Sequence, residues 1–157
     1  MDSNDVKYIN QGELYFGHSL GELRTNLGSC VSIVLWHRNK HLGGMCHILL
    51  PERNKVKSAC DDRYADCAIE SFIKYIRQYD TEPSEYRVGV YGGGNMFPSV
   101  NMKASERIGV QNIEKVLERL EKNGFRVTEK YIGGNVRRRL SLDMKTGNVS
   151  VTDTEMQ

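Results

Sequence analysis

The sequence predicts a mixed α+β fold, an α/β sandwich in which two helices pack on mostly antiparallel sheet. Three observations carry this. Two segments repeat apolar residues at helical spacing. Around them lie about eight short runs with the β-branched and aromatic composition of strands. The 157 residues contain no internal repeat, low-complexity tract or dividing linker, which fits one domain, 1–157, around one core.

In chain order, residues 9–16 read as a strand or hairpin around Gly12, and 22–27 as a strand ending at the Gly28-Ser29 turn signal. The run VSIVLW at 31–36 reads as a strand buried on both faces. Residues 37–41 form a polar turn, and 42–50 return as a second apolar strand that Pro51 stops. The polar, charged stretch 51–63 reads as an exposed loop. Ala65, Ala68, Ile69, Phe72, Ile73 and Ile76 then recur at helical spacing, predicting a helix over 64–79. Residues 86–91 form a strand running into Gly92-Gly93-Gly94. A second helix covers 108–122, with Ile113, Val116, Leu117 and Leu120 facing inward and Gly124 as its C-terminal cap. Strands follow at 125–132, 139–144 and 149–152, the last two joined by a hairpin turn at 145–148.

Composition narrows the function. Hydrophobic residues make up 39% and charged residues 27%, a globular balance, and a net charge of +2 gives nucleic-acid binding no support. There is no apolar run of membrane-spanning length, and the polar start MDSNDVKYIN is no secretory signal. A soluble cytoplasmic protein is expected. Its four cysteines, Cys30, Cys46, Cys60 and Cys67, are then expected to be thiols. A zinc site can be drawn from Cys46, His47, Cys60 and Cys67, but the spacings match no common zinc module. Cys46 and Cys67 read as small core residues and Cys60 as incidental.

Cys30 is different because of its surroundings. If the strands flanking 37–41 pair as a hairpin with its midpoint between Arg38 and Asn39, Cys30 lies directly opposite His47. Such residues share a face with Cβ atoms about 4.5–5.5 Å apart. An imidazole that close takes the thiol proton, lowers the thiol pKa and gives a nucleophilic ion pair. A two-residue slip keeps the pair together; a one-residue slip separates the groups onto opposite faces. Gly28 and Ser29 border the thiol, and main-chain N–H groups at that turn can hold an oxyanion. The plain alternative is a core cysteine beside a hydrogen-bonded core histidine, and spacing alone leaves both open.

The blocks GELYF, LGSCVSIVLW, GGMCHILLP, YAD, YGGGNMF, IGVQN and a late GGN…R…TGNV stretch occur in the order found in CheD proteins, and the chain resembles that family over nearly its whole length. The resemblance implies a CheD-like α/β sandwich and a protein-glutamine deamidase of chemotaxis. Such an enzyme converts particular chemoreceptor glutamines to glutamates that can then be methylated, and some members also hydrolyse the methyl esters. It implies Cys30 as nucleophile and His47 as base, a thioester intermediate, and neither metal nor organic cofactor. It implies receptor cytoplasmic helices as substrate and a CheC-type phosphatase as partner. The family's third residue is a threonine shortly before LGSC. An ungapped count puts Arg24 there, with Thr25 next, and Thr25 is assigned as the orienter of His47.

Other features have two readings each. The Gly92–Gly94 run lacks the lysine-serine pair of a P-loop. Gly93, Gly94, Asn95 and Phe97 either contact receptor or phosphatase or form a structural turn. Arg137, Arg138 and Arg139 either dock glutamate-rich receptor helices or form a solvated turn. His18, His37 and His41 are placed in polar turns and Trp36 in the core. Two rival functions stay open: a non-catalytic regulator of a CheC-type phosphatase, which Arg24 in place of the threonine would favour, and a cysteine hydrolase of another amide.

Overall fold

The structure is a computed structural model that describes residues 5–18, 21–54 and 59–156. Its elements are β1 (Val6–Tyr8), β2 (Leu14–His18), β3 (Glu22–Leu27), β4 (Val31–His37), β5 (Leu42–Cys46), α1 (Ala65–Gln78), β6 (Arg87–Gly92), α2 (Ile108–Lys122), β7 (Val127–Ile132), β8 (Val136–Asp143) and β9 (Val149–Glu155). The strands form two sheets, a five-stranded one in the order β2-β5-β4-β6-β7 and a four-stranded one in the order β1-β3-β8-β9. Only β1–β3 and β6–β7 pair in parallel, so the sheets are mostly antiparallel as expected.

Three layers result, and side-chain alternation along β4 shows how they assemble. Val31, Ile33 and Leu35 join Ile69, Phe72, Val116 and Leu120 in a core between the five-stranded sheet and the helices. Val34 and Trp36 point the other way, into a second core with Leu23, Leu27, Met45, Tyr91 and Leu140 between the two sheets. Every residue of β4 is buried, which is why its sequence is apolar without alternation. The helices lie close to their expected bounds. α2 ends as expected at Gly124, whose φ of +85° is left-handed. The Gly124 N–H donates to the Glu121 carbonyl and the Phe125 N–H to the Leu120 carbonyl, the paired bonds of a Schellman cap.

Several expectations are corrected. β1 and β2 belong to different sheets, so residues 9–16 are no hairpin; Gly12, at φ +79°, turns the chain from one sheet to the other. β5 stops at Cys46, and beyond it only isolated bridges form, Val31 with Ile48 and Leu50 with Tyr64. The described part of 51–63 is mostly exposed, while 55–58 lie outside the described residues. Cys60 and Cys67 are not thiols. The turn at Asp61–Arg63 folds Cys60 back on the first turns of α1, where it forms a disulfide with Cys67 across a Cα–Cα distance of 5.5 Å. His37 is not in a polar turn but buried at the end of β4, 3.1 Å from Glu85. The arginines 137–139 lie within β8. No described helix is long and apolar enough to cross a membrane.

Candidate active site

Three inward-facing side chains meet at one end of the layer between the sheets. On β3, Leu23 and Leu27 face this layer, so Thr25, in the same alternation, does too; it is buried. On the other sheet, Cys30 is in step with Val34 and Trp36, and His47 with Met45. Residues 28–30 carry the chain from the four-stranded to the five-stranded sheet, and Cys30 sits half-buried in that crossing.

The hairpin register differs from the expected one by two residues. His37 pairs with Leu42 and Val34 with Met45, so four residues, 38–41, make the turn. Lys40 N–H donates to Nδ1 of His37 at 3.1 Å, and His41 takes a left-handed φ of 52°, which together fix the longer turn. Cys30 therefore stands opposite Leu49, and His47 is its diagonal neighbour on the same face. Such diagonals are about 7–8 Å apart at the backbone, within reach of longer side chains.

His47 is caged by the chain that crosses between β1 and β2. Its N–H donates to the Glu13 carbonyl at 3.1 Å, and its carbonyl accepts from the Gly12 N–H at 2.9 Å. Thr25 Oγ1 lies 2.7 Å from His47 Nδ1 and 2.6 Å from the Ile9 carbonyl oxygen. The hydroxyl has one proton and the carbonyl can only accept. The hydroxyl therefore donates to Ile9 and accepts from Nδ1–H, which leaves Nε2 unprotonated as the basic nitrogen. Arg24 takes no part, since it faces outward and is paired with Glu22 at 2.9 Å. Replacing Thr25 by valine, which keeps the shape and deletes the hydroxyl, is expected to cost about 1–3 kcal/mol of stability through two unpaired buried groups. It should lower kcat by roughly 10²-fold through loss of ring orientation; thermal unfolding and steady-state kinetics measure the two effects separately.

The loop that carries Cys30 is held by its carbonyls. Gly28 accepts from the Gly94 N–H and Cys30 from the Gly93 N–H, both at 2.8 Å, and Ser29 accepts from Nδ2 of Asn112 at 3.2 Å. Gly92 must be glycine, because it has φ +106° and a Cβ there would press on the Cys30 carbonyl. With these carbonyls turned toward the protein, the N–H groups of Ser29 and Cys30 are left without an acceptor among the described residues. They are suited to a negatively charged oxygen.

Burial sets the resting protonation. It pushes the Cys30 thiol up and the His47 imidazole down, the latter partly offset by the Ile9 carbonyl. Both shifts favour the neutral thiol and neutral imidazole over the ion pair that adjacency alone suggests. Cys30 and His47 line one cleft of about 560 Å³ with Gly28, Ser29, Met96 and the three arginines. Arg138 is buried and donates to the carbonyls of Gly92 (3.2 Å) and Gly133 (2.8 Å). Arg137 and Arg139 are exposed.

Of the residues singled out in the sequence, Thr25, Gly28, Ser29, Cys30 and His47 are brought together. Gly93 and Gly94 are buried and support the Cys30 loop through their N–H groups, and both line a separate small pocket with Asn95 and Arg107. Asn95 is half-buried, its side chain accepting from the Phe97 N–H at 3.1 Å and from Arg107. Phe97 is 69% exposed. The drawn zinc set is divided, with Cys46 in the core at a pKa pushed up to about 12 by burial and Cys60 bonded to Cys67. Sequence reasoning missed the Ile9 carbonyl, Met96, Asn112 and the structural Arg138. Only Asn112 carried a signal, as a polar residue four before Val116 on the apolar stripe of α2.

A family model described as CheD chemotactic sensory transduction matches residues 49–153. A protein of Dechloromonas aromatica named probable chemoreceptor glutamine deamidase CheD 3 is 38% identical over 143 residues, 90% of this chain and 84% of that one. A protein of Pseudomonas syringae pv. tomato named probable chemoreceptor glutamine deamidase CheD is 37% identical over 89% of this chain and 84% of its own length. One of the same name from Methanococcus vannielii is 32% identical over 93% of this chain and 94% of its own length. Among solved structures, the Bacillus licheniformis hypothetical protein YfiH superposes with a TM-score of 0.46 at 10% identity, covering 83% of this chain and 59% of that one.

Proposed function

This chain belongs to the CheD family, and from that premise we propose that it is a cytoplasmic deamidase of chemoreceptor glutamines, with Cys30 as nucleophile, His47 as base and acid, and Thr25 as the orienter of His47. The observation that supports this most is the convergence of a half-buried thiol and a histidine on one cleft, the histidine held by Thr25 at 2.7 Å with Nε2 free.

The steps follow from the groups present. As the glutamine side chain enters, Nε2 of His47 takes the Cys30 proton while Sγ attacks the carboxamide carbon. Oxygen of the tetrahedral intermediate receives the Ser29 and Cys30 N–H groups. The imidazolium then gives its proton to the departing nitrogen, which leaves as ammonia, and a thioester remains on Cys30. His47 next takes a proton from water, whose oxygen attacks the thioester. Collapse expels the Cys30 sulfur, which regains a proton, and releases glutamate. Mass spectrometry of a chemoreceptor cytoplasmic fragment incubated with the protein tests the proposal. Glutamine-to-glutamate conversion at defined sites is expected, and no conversion, with or without a CheC-type phosphatase, would reject it.

Arg137 and Arg139 give the cleft mouth its charge. Neither has a carboxylate partner among the described residues, so both are available to the glutamate-rich helices of a receptor. Replacing both by serine is expected to raise KM for a receptor fragment by about tenfold at low salt, with kcat nearly unchanged. The difference should shrink as salt is added, which a KM series against ionic strength measures. The exposed apolar side chains of Phe97, Val100 and Met102, in the segment that follows Met96 of the cleft lining, suit contact with a CheC-type phosphatase.

A further inference from the structure

The buried stripe of α2 runs Gly109, Asn112, Val116 and Leu120, and Asn112 alone in it is polar. Its Nδ2 donates to the Ser29 carbonyl at 3.2 Å and to the Leu49 carbonyl at 3.0 Å. One side chain thus joins the residue before the nucleophile to a residue just after the base. Its Oδ1 is buried without a partner among the described residues. Turning the amide over would set that oxygen against two carbonyl oxygens, so the orientation is fixed by the two bonds from Nδ2. Gly109, three residues earlier on the same face, lets α2 come this close. A Cβ there would lie 2.5 Å from the Gly93 carbonyl oxygen, on the segment that braces Cys30.

The Ser29 carbonyl and the Cys30 N–H belong to one planar trans peptide and point in opposite directions. A donor on the carbonyl therefore aims the N–H away from α2. We infer that Asn112 is a positioning residue for the reaction: through Ser29 it orients the Cys30 amide as an oxyanion donor, and through Leu49 it fixes that donor relative to His47. This rests on the reading of Cys30 as nucleophile given above.

The test compares two rates in the full chain. Asn112→Asp keeps the shape and replaces the donor by an acceptor; Asn112→Ser removes the amide without adding charge. Turnover of a receptor fragment passes through an oxyanion, whereas alkylation of Cys30 by iodoacetamide does not. In each folded variant kcat is expected to fall at least about tenfold, with KM and the alkylation rate within about threefold of wild type. Equal kcat in variant and wild type would overturn the inference, and so would a parallel fall of kcat and alkylation, the mark of a general structural role. Absence of turnover in the wild type would instead reject the deamidase reading. The Cys30 amide is then judged by its ¹⁵N–¹H cross-peak, which Asn112→Asp must displace if the inference holds and leaves in place if it does not.

Discussion

Replacing Cys30 by alanine is expected to reduce receptor deamidation by at least about 10⁴-fold, because no other thiol lines the cleft. The other free cysteine, Cys46, is wholly buried with its thiol hydrogen-bonded at Ile33, so it cannot substitute. The fold should survive. Cys30 is only half-buried, packs at the margin of the inter-sheet core, and is anchored by its main-chain carbonyl rather than by its sulfur. Loss of a single sulfur there costs on the order of 1 kcal/mol. Ammonia release alongside circular dichroism separates the two effects: activity at background and an unchanged folded spectrum are expected.

His47→Gln is the second large effect, with a fall of about 10²–10⁴-fold in kcat/KM. Glutamine has a polar end that can still meet Thr25 Oγ1, but it cannot accept and return a proton. The pH profile identifies the cause. Burial holds the His47 imidazole below its ordinary value of about 6.5. The neutral, basic form therefore persists below that pH, and the wild-type rate is lost only as pH falls through the lowered value. Burial also holds the Cys30 thiol above its ordinary value of about 8.5, so iodoacetamide should react with it faster and faster from neutral into alkaline pH. A plateau of reactivity between pH 5 and 7 would reveal a standing thiolate–imidazolium pair and contradict the neutral resting state. In His47→Gln the acid limb should vanish, leaving a residual rate that rises only with thiol ionisation.

Much of this was legible in the chain because local chemistry and packing agree. The helices carried their period, VSIVLW carried the signature of a strand between two cores, and Gly124 marked the end of α2. Cys30 and His47 fell on one face because side chains alternate with a period of two, so a register error of two residues preserved the essential juxtaposition. What was not legible depends on partners distant in sequence. Gly12 looked like a hairpin turn, but turn chemistry does not say which sheet the next strand joins. The pairing of Cys60 with Cys67 arises from the fold-back at Asp61, which spacing alone does not disclose. Arg24 against Thr25 was a matter of facing: pairing of β3 with β8 turns Thr25 inward to His47 and Arg24 outward to Glu22. Asn112 was read past because a polar residue on an apolar stripe has meaning only once the carbonyls it meets, 83 and 63 residues away, are known.

The central claim is that Cys30 attacks a receptor glutamine, and trapping its intermediate tests that most directly. A receptor fragment is mixed with the protein, quenched in acid within one turnover, and digested for mass spectrometry. A thioester joining the side chain of a substrate glutamine to the peptide that contains Cys30, cleaved by hydroxylamine and absent from Cys30→Ala, is the expected result. Conversion of glutamine to glutamate at an equal rate by wild type and Cys30→Ala, with no adduct on Cys30, would contradict it.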